Sequence, residues 1–273
     1  MVEKDLATKE RAIWNPRALQ LLREKAAVQC ALNIVPRTVN GTNIHFPGTE
    51  IALGLRVVVR SKRIAGRSLL EVIYEREMQE FALDMAMVAL EALNRADVTS
   101  GPFALFSRVY RPVRALRVIV AERLRAPVLS SEQRRELNYL VSSYVRCREG
   151  ERRTLVHGDL HAGNLVVNRE GKSLGFVDME MMHIGKPVTN FAQLWISFHF
   201  ADLSLGRRLY QRYMSRFSGT LDAHFDPDAR AEIALRCYSL VRDAIKVGHG
   251  ELEQKARTLL GNVLKGEGFE RLM

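Results

Sequence analysis

The sequence predicts an α+β fold, with a small region of mixed strands and helix followed by a larger, mainly helical region. Three observations predict it. Residues 37–60 combine turn signals with a β-rich run. Apolar residues recur at helical spacing through much of the remaining chain. Within the helical half, two short apolar runs flank a turn containing Gly171, the signature of a hairpin. The chain has 273 residues, 47% hydrophobic and 26% charged. This composition excludes collagen-like, low-complexity and disordered acidic classes and suffices for a large core.

The first helix is expected from Asn15-Pro16. Asn is a good N-cap, and Pro fits the first helical position because its missing N–H had no helical partner. Leu19, Leu22, Ala26 and Cys30 follow at helical spacing, and Pro36 ends the pattern. Asn40-Gly41 and Pro47-Gly48 mark turns, and Leu55 to Val59 a strand. Gly66 lies in a short loop, and Ser68 caps a long helical stretch ending near Arg95. Six arginines between Arg108 and Arg125 follow, with Pro102, Pro112 and Pro127 breaking any long helix. Ser130-Ser131-Glu132 starts another helix, to about Cys147, and the chain after residue 190 reads as mostly helical. The expected division is residues 1–65 as a small N-terminal lobe and 66–273 as a helical C-terminal lobe, with a catalytic hairpin at 155–180.

No apolar run approaches the ~18 residues a membrane-spanning helix needs. The N-terminus lacks the layout of a signal peptide. Three widely spaced cysteines (Cys30, Cys147, Cys237) make no disulfide framework, so they read as packing residues in a reducing cytoplasm. The formal charge is +10, from 41 Lys+Arg against 31 Asp+Glu. Charge bears on partners, not on fold.

The chemistry lies in His157-Gly158-Asp159-Leu160-His161-Ala162-Gly163-Asn164 and, past the turn, Val177-Asp178-Met179-Glu180. Asp159 and Asn164 fall before the first strand of the hairpin, and Asp178 just after the second. Three oxygen-bearing side chains thus converge on one end. Phosphoryl transfer needs such a set: a carboxylate to accept and orient a hydroxyl proton, and hard oxygen ligands for Mg²⁺. Asp159 and Asn164 have the Asp-x-x-x-x-Asn spacing of a kinase catalytic loop, and Asp178 is then the main metal ligand. His157-x-Asp159-x-His161 also has metal-binding spacing, but no further His or Cys cluster accompanies it.

These two motifs, followed by Gly185-Lys186-Pro187, resemble the aminoglycoside phosphotransferase family, a branch of the protein-kinase-like fold. The resemblance implies a two-lobed kinase-like architecture, ATP and Mg as cofactors, and transfer to a hydroxyl of a small molecule or sugar. It implies Asp159 as the base, Asn164 and Asp178 as Mg ligands, His157 as a brace of the catalytic loop and Glu180 as an accessory polar residue. The family often has an Asp shortly after the Gly-x-Pro turn. Here Asn190 stands in that region, without the negative charge.

The same resemblance implies a nucleotide side. Lys4, in a strand-like run over residues 2–6, is the candidate amine for the ATP phosphates, with Lys9 the runner-up and Glu24 the helix carboxylate. Lys62, Ile64 and Gly66 in the linker after Val57-Val58-Val59 are candidates for the adenine edge. No Gly-rich motif precedes them, so the small lobe is expected to be short at its start.

Residues 187–273 carry ten acidic and twelve basic side chains, so the excess positive charge lies mostly in the first 186 residues. That balance disfavours a polycationic acceptor. It offers an alternative: a sugar or lipopolysaccharide kinase whose Arg108–Arg125 stretch faces an anionic acceptor or membrane surface. A catalytically weak kinase-like binding protein is the other alternative, favoured by the missing glycine loop. A nucleic-acid partner is not expected, because the basic residues are scattered without aromatic interleaving.

Overall fold

The computed structural model describes residues 6–12, 26, 28–53, 56–98, 128–145, 152–221 and 224–265. Residues 6–12, 49–53, 56–62 and Glu180 are described by backbone alone. Lys4, Glu24, Cys147 and the Arg108–Arg125 stretch lie outside the described residues, as does the start of the helix expected at Asn15. The chain divides into two compact units, Met1–Phe106 with Arg153–Asn190, and Ser107–Arg152 with Phe191–Met273.

The first unit carries all the described strands. Strand β1 (Leu6–Ala12) pairs antiparallel with β5 (Arg56–Lys62), which also pairs with β4 (Thr49–Leu53). Of the strand-like run expected at 2–6, only Leu6 is among the described residues. Helix α1 is described over residues 28–34 and stops before Pro36, as the proline requires. Strands β2 (Thr38–Val39) and β3 (Thr42–His45) form a hairpin across Asn40-Gly41, both at positive φ (49° and 75°). That is the backbone a two-residue hairpin turn requires and Asn-Gly supplies.

Next come β6 (Arg67–Ser68), β7 (Thr154–Val156), β8 (Leu165–Asn168), β9 (Ser173–Phe176) and β10 (His183–Gly185). Strands β8 and β9 are the hairpin the sequence predicts. It sits in a five-stranded sheet of order β2-β3-β9-β8-β6. Because β3 pairs with β9 and β6 with β8, the hairpin is stitched to the N-terminal strands. The compact units consequently divide the chain at points other than 65/66.

The long helix expected from Ser68 to Arg95 is two helices. Ser68 caps α2 (Leu69–Ile73), its Oγ accepting from the Leu70 N–H. Glu75 is then extended (φ −90°, ψ 111°), its carboxylate gripped by the Arg67 guanidinium, and α3 (Gln79–Asn94) restarts beyond it. Within this unit α3 buries Leu83, Leu90 and Leu93, and Leu93 O accepts from Thr154 Oγ1 at the start of β7.

The second unit is helical: α4 (Ser131–Val145), most of α5 (Pro187–Ala201), α6 (Leu203–Phe217), α7 (Phe225–Val247) and α8 (Gly250–Leu264). Ser130 and Gln133 form a reciprocal capping box that starts α4. Phe191, Tyr213 and Phe225 make an aromatic cluster with centroids 4.4–5.5 Å apart. Trp195 is fully buried and its Nε1–H donates to Gly206 O. Cys30 is half-buried, Cys237 is buried and both are free thiols. Among the described residues no helix is long and apolar enough to cross a membrane.

Phe191→Ala opens a cavity where three rings meet and is expected to cost about 3–5 kcal/mol. Leu203→Ala, at a side chain 61% exposed, is expected to stay within about 0.5 kcal/mol of the parent. Urea unfolding followed by far-UV circular dichroism checks both.

Candidate active site

The segment from β7 to the start of β8 is a loop closed on itself. The Asp159 carbonyl accepts twice, from His161 N–H (2.9 Å) and from the Asn164 amide Nδ2 (2.9 Å). His161 O in turn accepts from Asn164 N–H (2.9 Å). With Nδ2 used on the loop, the acceptor side of the Asn164 amide is its Oδ1. The loop meets the end of β9 through Val177 N–H, which donates to Asn164 O (3.1 Å). Asn164 and Asp178 thus flank the same open end of the hairpin.

Asp178 has φ 59° and ψ 51°. This left-handed conformation is uncommon for a residue with a side chain, though Asp tolerates it better than most. It strains the backbone where the chain leaves β9, and such strain concentrates at functional positions. Gly158 has φ +88°, and a Cβ there would lie 2.2 Å from Met181 O. Only glycine lets the loop lie against the turn that follows Asp178.

His157 is fully buried. Its Nε2–H donates to the Val177 carbonyl (2.9 Å), which ties the loop to the residue before Asp178. Burial holds its pKa down to about 4, against the pull of the Asp159 and Asp178 carboxylates. The ring tilts against Phe176 (6.1 Å), and Phe46 stacks on Phe176 (5.5 Å). The Phe46 contribution is one the sequence reading missed. Phe46 is marked in the sequence only by the turn after it.

Asn190, in the first turn of α5, is also fully buried. Its Nδ2–H donates to Leu155 O (2.8 Å) and its Oδ1 accepts from His157 N–H (3.1 Å). Asn190 thus bridges the backbone on either side of Val156. His183 is a packing residue, buried at 5% exposure with its Nδ1–H donating to Met181 O.

The linker candidates meet the same hairpin. Ile64 packs over Gly175, where a Cβ would sit 2.6 Å from the Ile64 Cδ1. Gly66, at φ +143°, lies against Val167 O, a conformation essentially closed to other residues. Lys62 ends β5, paired with Leu6, and only its backbone is described, as for Glu180. Lys9 is in β1, opposite Val59. The structure thus brings His157, Asp159, Asn164, Asp178, Ile64 and Gly66 onto one loop-and-hairpin assembly.

The donor set fits a hard cation: an amide oxygen from Asn164 and a carboxylate from Asp178, both oxygen ligands. Among the described residues no group of three or more His, Cys, Asp or Glu is gathered to hold a metal, so the His-x-Asp-x-His spacing builds no site of its own there.

The sequence profile of a family described as "Phosphotransferase enzyme family" (APH) matches residues 9–233. The fold is similar to solved aminoglycoside phosphotransferases. A thermostable mutant of APH(4)-Ia without ligand is 14% identical, with a TM-score of 0.66 over 97% of this chain and 89% of that one. APH(2'')-IIIa in its GDP and kanamycin complex is 17% identical, with a TM-score of 0.62 over 97% and 88%. APH(3'')-Id from Streptomyces rimosus, with ADP and streptomycin, is 16% identical, with a TM-score of 0.62 over 86% and 87%. No match was found among curated protein sequences.

The His157 pKa sets a pH dependence of stability. The native imidazole stays neutral to about pH 4, while the unfolded one protonates near pH 6.5. The unfolded chain therefore binds the extra proton in that window. His157 stabilisation, fully present above pH 6.5, is lost as pH falls, by up to about 1.4 kcal/mol per pH unit. Urea titrations at pH 7, 6 and 5 are expected to show this slope flattened in His157→Phe, whatever its overall stability. An identical slope in both proteins contradicts it.

Proposed function

This chain belongs to the phosphotransferase enzyme family, and from that premise we propose that it moves the γ-phosphoryl group of ATP to a hydroxyl of a small molecule, with Asp159 as the base. Membership itself makes it a kinase-type phosphotransferase with an alcohol group as acceptor. The observation that carries the finer reading is the tether between Asp159 and Asn164. One side chain fixes the backbone of the base and leaves its amide oxygen for a ligand, on a residue next to the hairpin end that bears Asp178.

Asp159 is partly exposed, so an acceptor can reach its carboxylate while its backbone stays fixed. The carboxylate orients the hydroxyl and takes its proton as the new oxygen–phosphorus bond forms and the bond to ADP breaks. Magnesium, when bound, neutralises phosphate charge; Asn164 and Asp178 would hold it. His157 and Asn190 keep the loop in place. Neighbours of the same fold captured with ADP or GDP beside an acceptor support a nucleotide as phosphate donor. The linker at Ile64 and Gly66, lying on this hairpin, supports the adenine edge being met there.

For the phosphate-binding amine, Lys9 is the better choice than Lys4. Strand β1 pairs along its whole length with β5, the strand that enters the linker, and Lys9 is within it. Glu24 remains its carboxylate partner in this reading. Residues 1–65 then serve the nucleotide, and 66–273 carry the catalytic loop and acceptor side. The anionic-acceptor alternative rests on Arg108–Arg125, outside the described residues, and nothing described favours it.

An ATP-consumption screen over sugars, amino alcohols and aminoglycosides tests the reading. Mg-dependent turnover with at least one acceptor is expected, lowered by about 10²–10⁴-fold in Asp159→Asn and abolished in Asp178→Ala. Lys9→Met is expected to raise the KM for ATP, and Lys4→Met to leave it unchanged. Acceptor-dependent turnover that survives Asp159→Asn would exclude Asp159 as the base.

A further inference from the structure

We propose that His161 is a positioning residue for Asp159, a neutral imidazole whose Nε2–H orients the carboxylate; the inference rests on Asp159 being the base. His161 Nδ1 accepts a hydrogen bond from Gly163 N–H (3.0 Å). An accepting Nδ1 carries no proton, so the proton of the neutral ring is on Nε2. That nitrogen lies 3.9 Å from Asp159 Oδ2. The gap is wider than a hydrogen bond. Catalytic contacts are commonly long until substrate is bound.

The ring is held where it is. A Cβ on Gly163 would lie 2.8 Å from His161 Cε1 and 2.9 Å from Nδ1, so the imidazole occupies the space a side chain at 163 would need. The backbone is fixed at both ends of the pair. His161 N–H donates to Asp159 O, and Asn164 N–H donates to His161 O. Capping the short turn Ala162–Asn164 needs only one acceptor, which Asn, Asp or Ser would supply. The imidazole provides that acceptor and, on its far side, a donor facing the base. His161 is 37% and Asp159 29% exposed at the side chain, which leaves both within reach of an acceptor molecule. Asp159 Oδ1 is buried, so the oxygen that meets the hydroxyl is Oδ2, which can accept from Nε2–H and from the acceptor hydroxyl through its two lone pairs.

Two variants separate capping from orientation. His161→Asn keeps an acceptor near the Nδ1 position and loses the reach to Asp159. His161→Gln keeps an N–H near the Nε2 position and loses the cap. The kinetic probe is Mg-ATP, with hydrolysis to water and any acceptor from the screen as readouts. His161→Asn is expected to retain parental thermal stability and KM for ATP while kcat falls about 10–100-fold. His161→Gln is expected to recover most of kcat despite lower stability. Unchanged kcat in His161→Asn overturns the proposal, as does a kcat that follows stability in both variants. Asp159→Asn runs beside them. If it retains turnover, the base reading fails; if it is inactive while His161→Asn is fully active, only the positioning role fails.

A second readout needs no turnover. In ¹⁵N spectra of the imidazoles, Asp159→Ala is expected to move the His161 Nε2 resonance and leave Nδ1 in place. An unmoved Nε2 overturns the proposal.

Discussion

Everything at this site depends on one buried amide. Asn190 has two polar ends and spends both on the backbone flanking Val156, donating to the Leu155 carbonyl and accepting from the His157 N–H. Neither backbone group can reach water there, and a buried polar group left unpaired costs about 1–3 kcal/mol. The bridge fixes where β7 ends. That fixes His157, whose ring fixes Val177. The chain then turns through the strained Asp178, and Asn164 ties the base's own carbonyl into the same loop. The side chains that would do chemistry sit on backbone over-determined by neutral hydrogen bonds.

The neutrality matters. A carboxylate at 190 could accept from His157 N–H but would set its second oxygen against the Leu155 carbonyl. In this chain the partner of that carbonyl must be a donor, so an amide satisfies what an acid would not. His157 is neutral for a related reason: in a site without solvent, the uncharged ring is the stable form. The carboxylates of Asp159 and Asp178 are both partly exposed.

Much of this was legible in the sequence. The hairpin followed from two apolar runs around Gly171, and the β2–β3 turn from Asn40-Gly41, because each signal is local. The spacing from Asp159 to Asn164 and on to Asp178 was legible for the same reason: loop and hairpin are continuous in sequence. What was not legible depends on distant partners. The break after α2 falls at Glu75, which Arg67 grips, and nothing in the helical periodicity of 68–95 announces it. The extent of the strand Leu6–Ala12 was not legible because it depends on pairing with β5. Phe46 reaches the site only by stacking on Phe176, 130 residues on. Gly158 reads as part of a motif, but the reason for it is the Met181 carbonyl.

The most direct test is the stability of Asn190→Asp against the parent, by urea unfolding from pH 7 to pH 4. The substituted carboxyl would be buried against a carbonyl, which raises its folded pKa above the unfolded value of about 3.9. Its penalty is therefore smallest near pH 4, where the protonated acid can donate to Leu155 O. The penalty grows as pH rises and is fully present once pH exceeds the folded pKa. The account expects the variant to be less stable by about 1–3 kcal/mol at pH 7 and to close on the parent as pH falls. A variant as stable as the parent at pH 7, or a difference that does not change with pH, would contradict it.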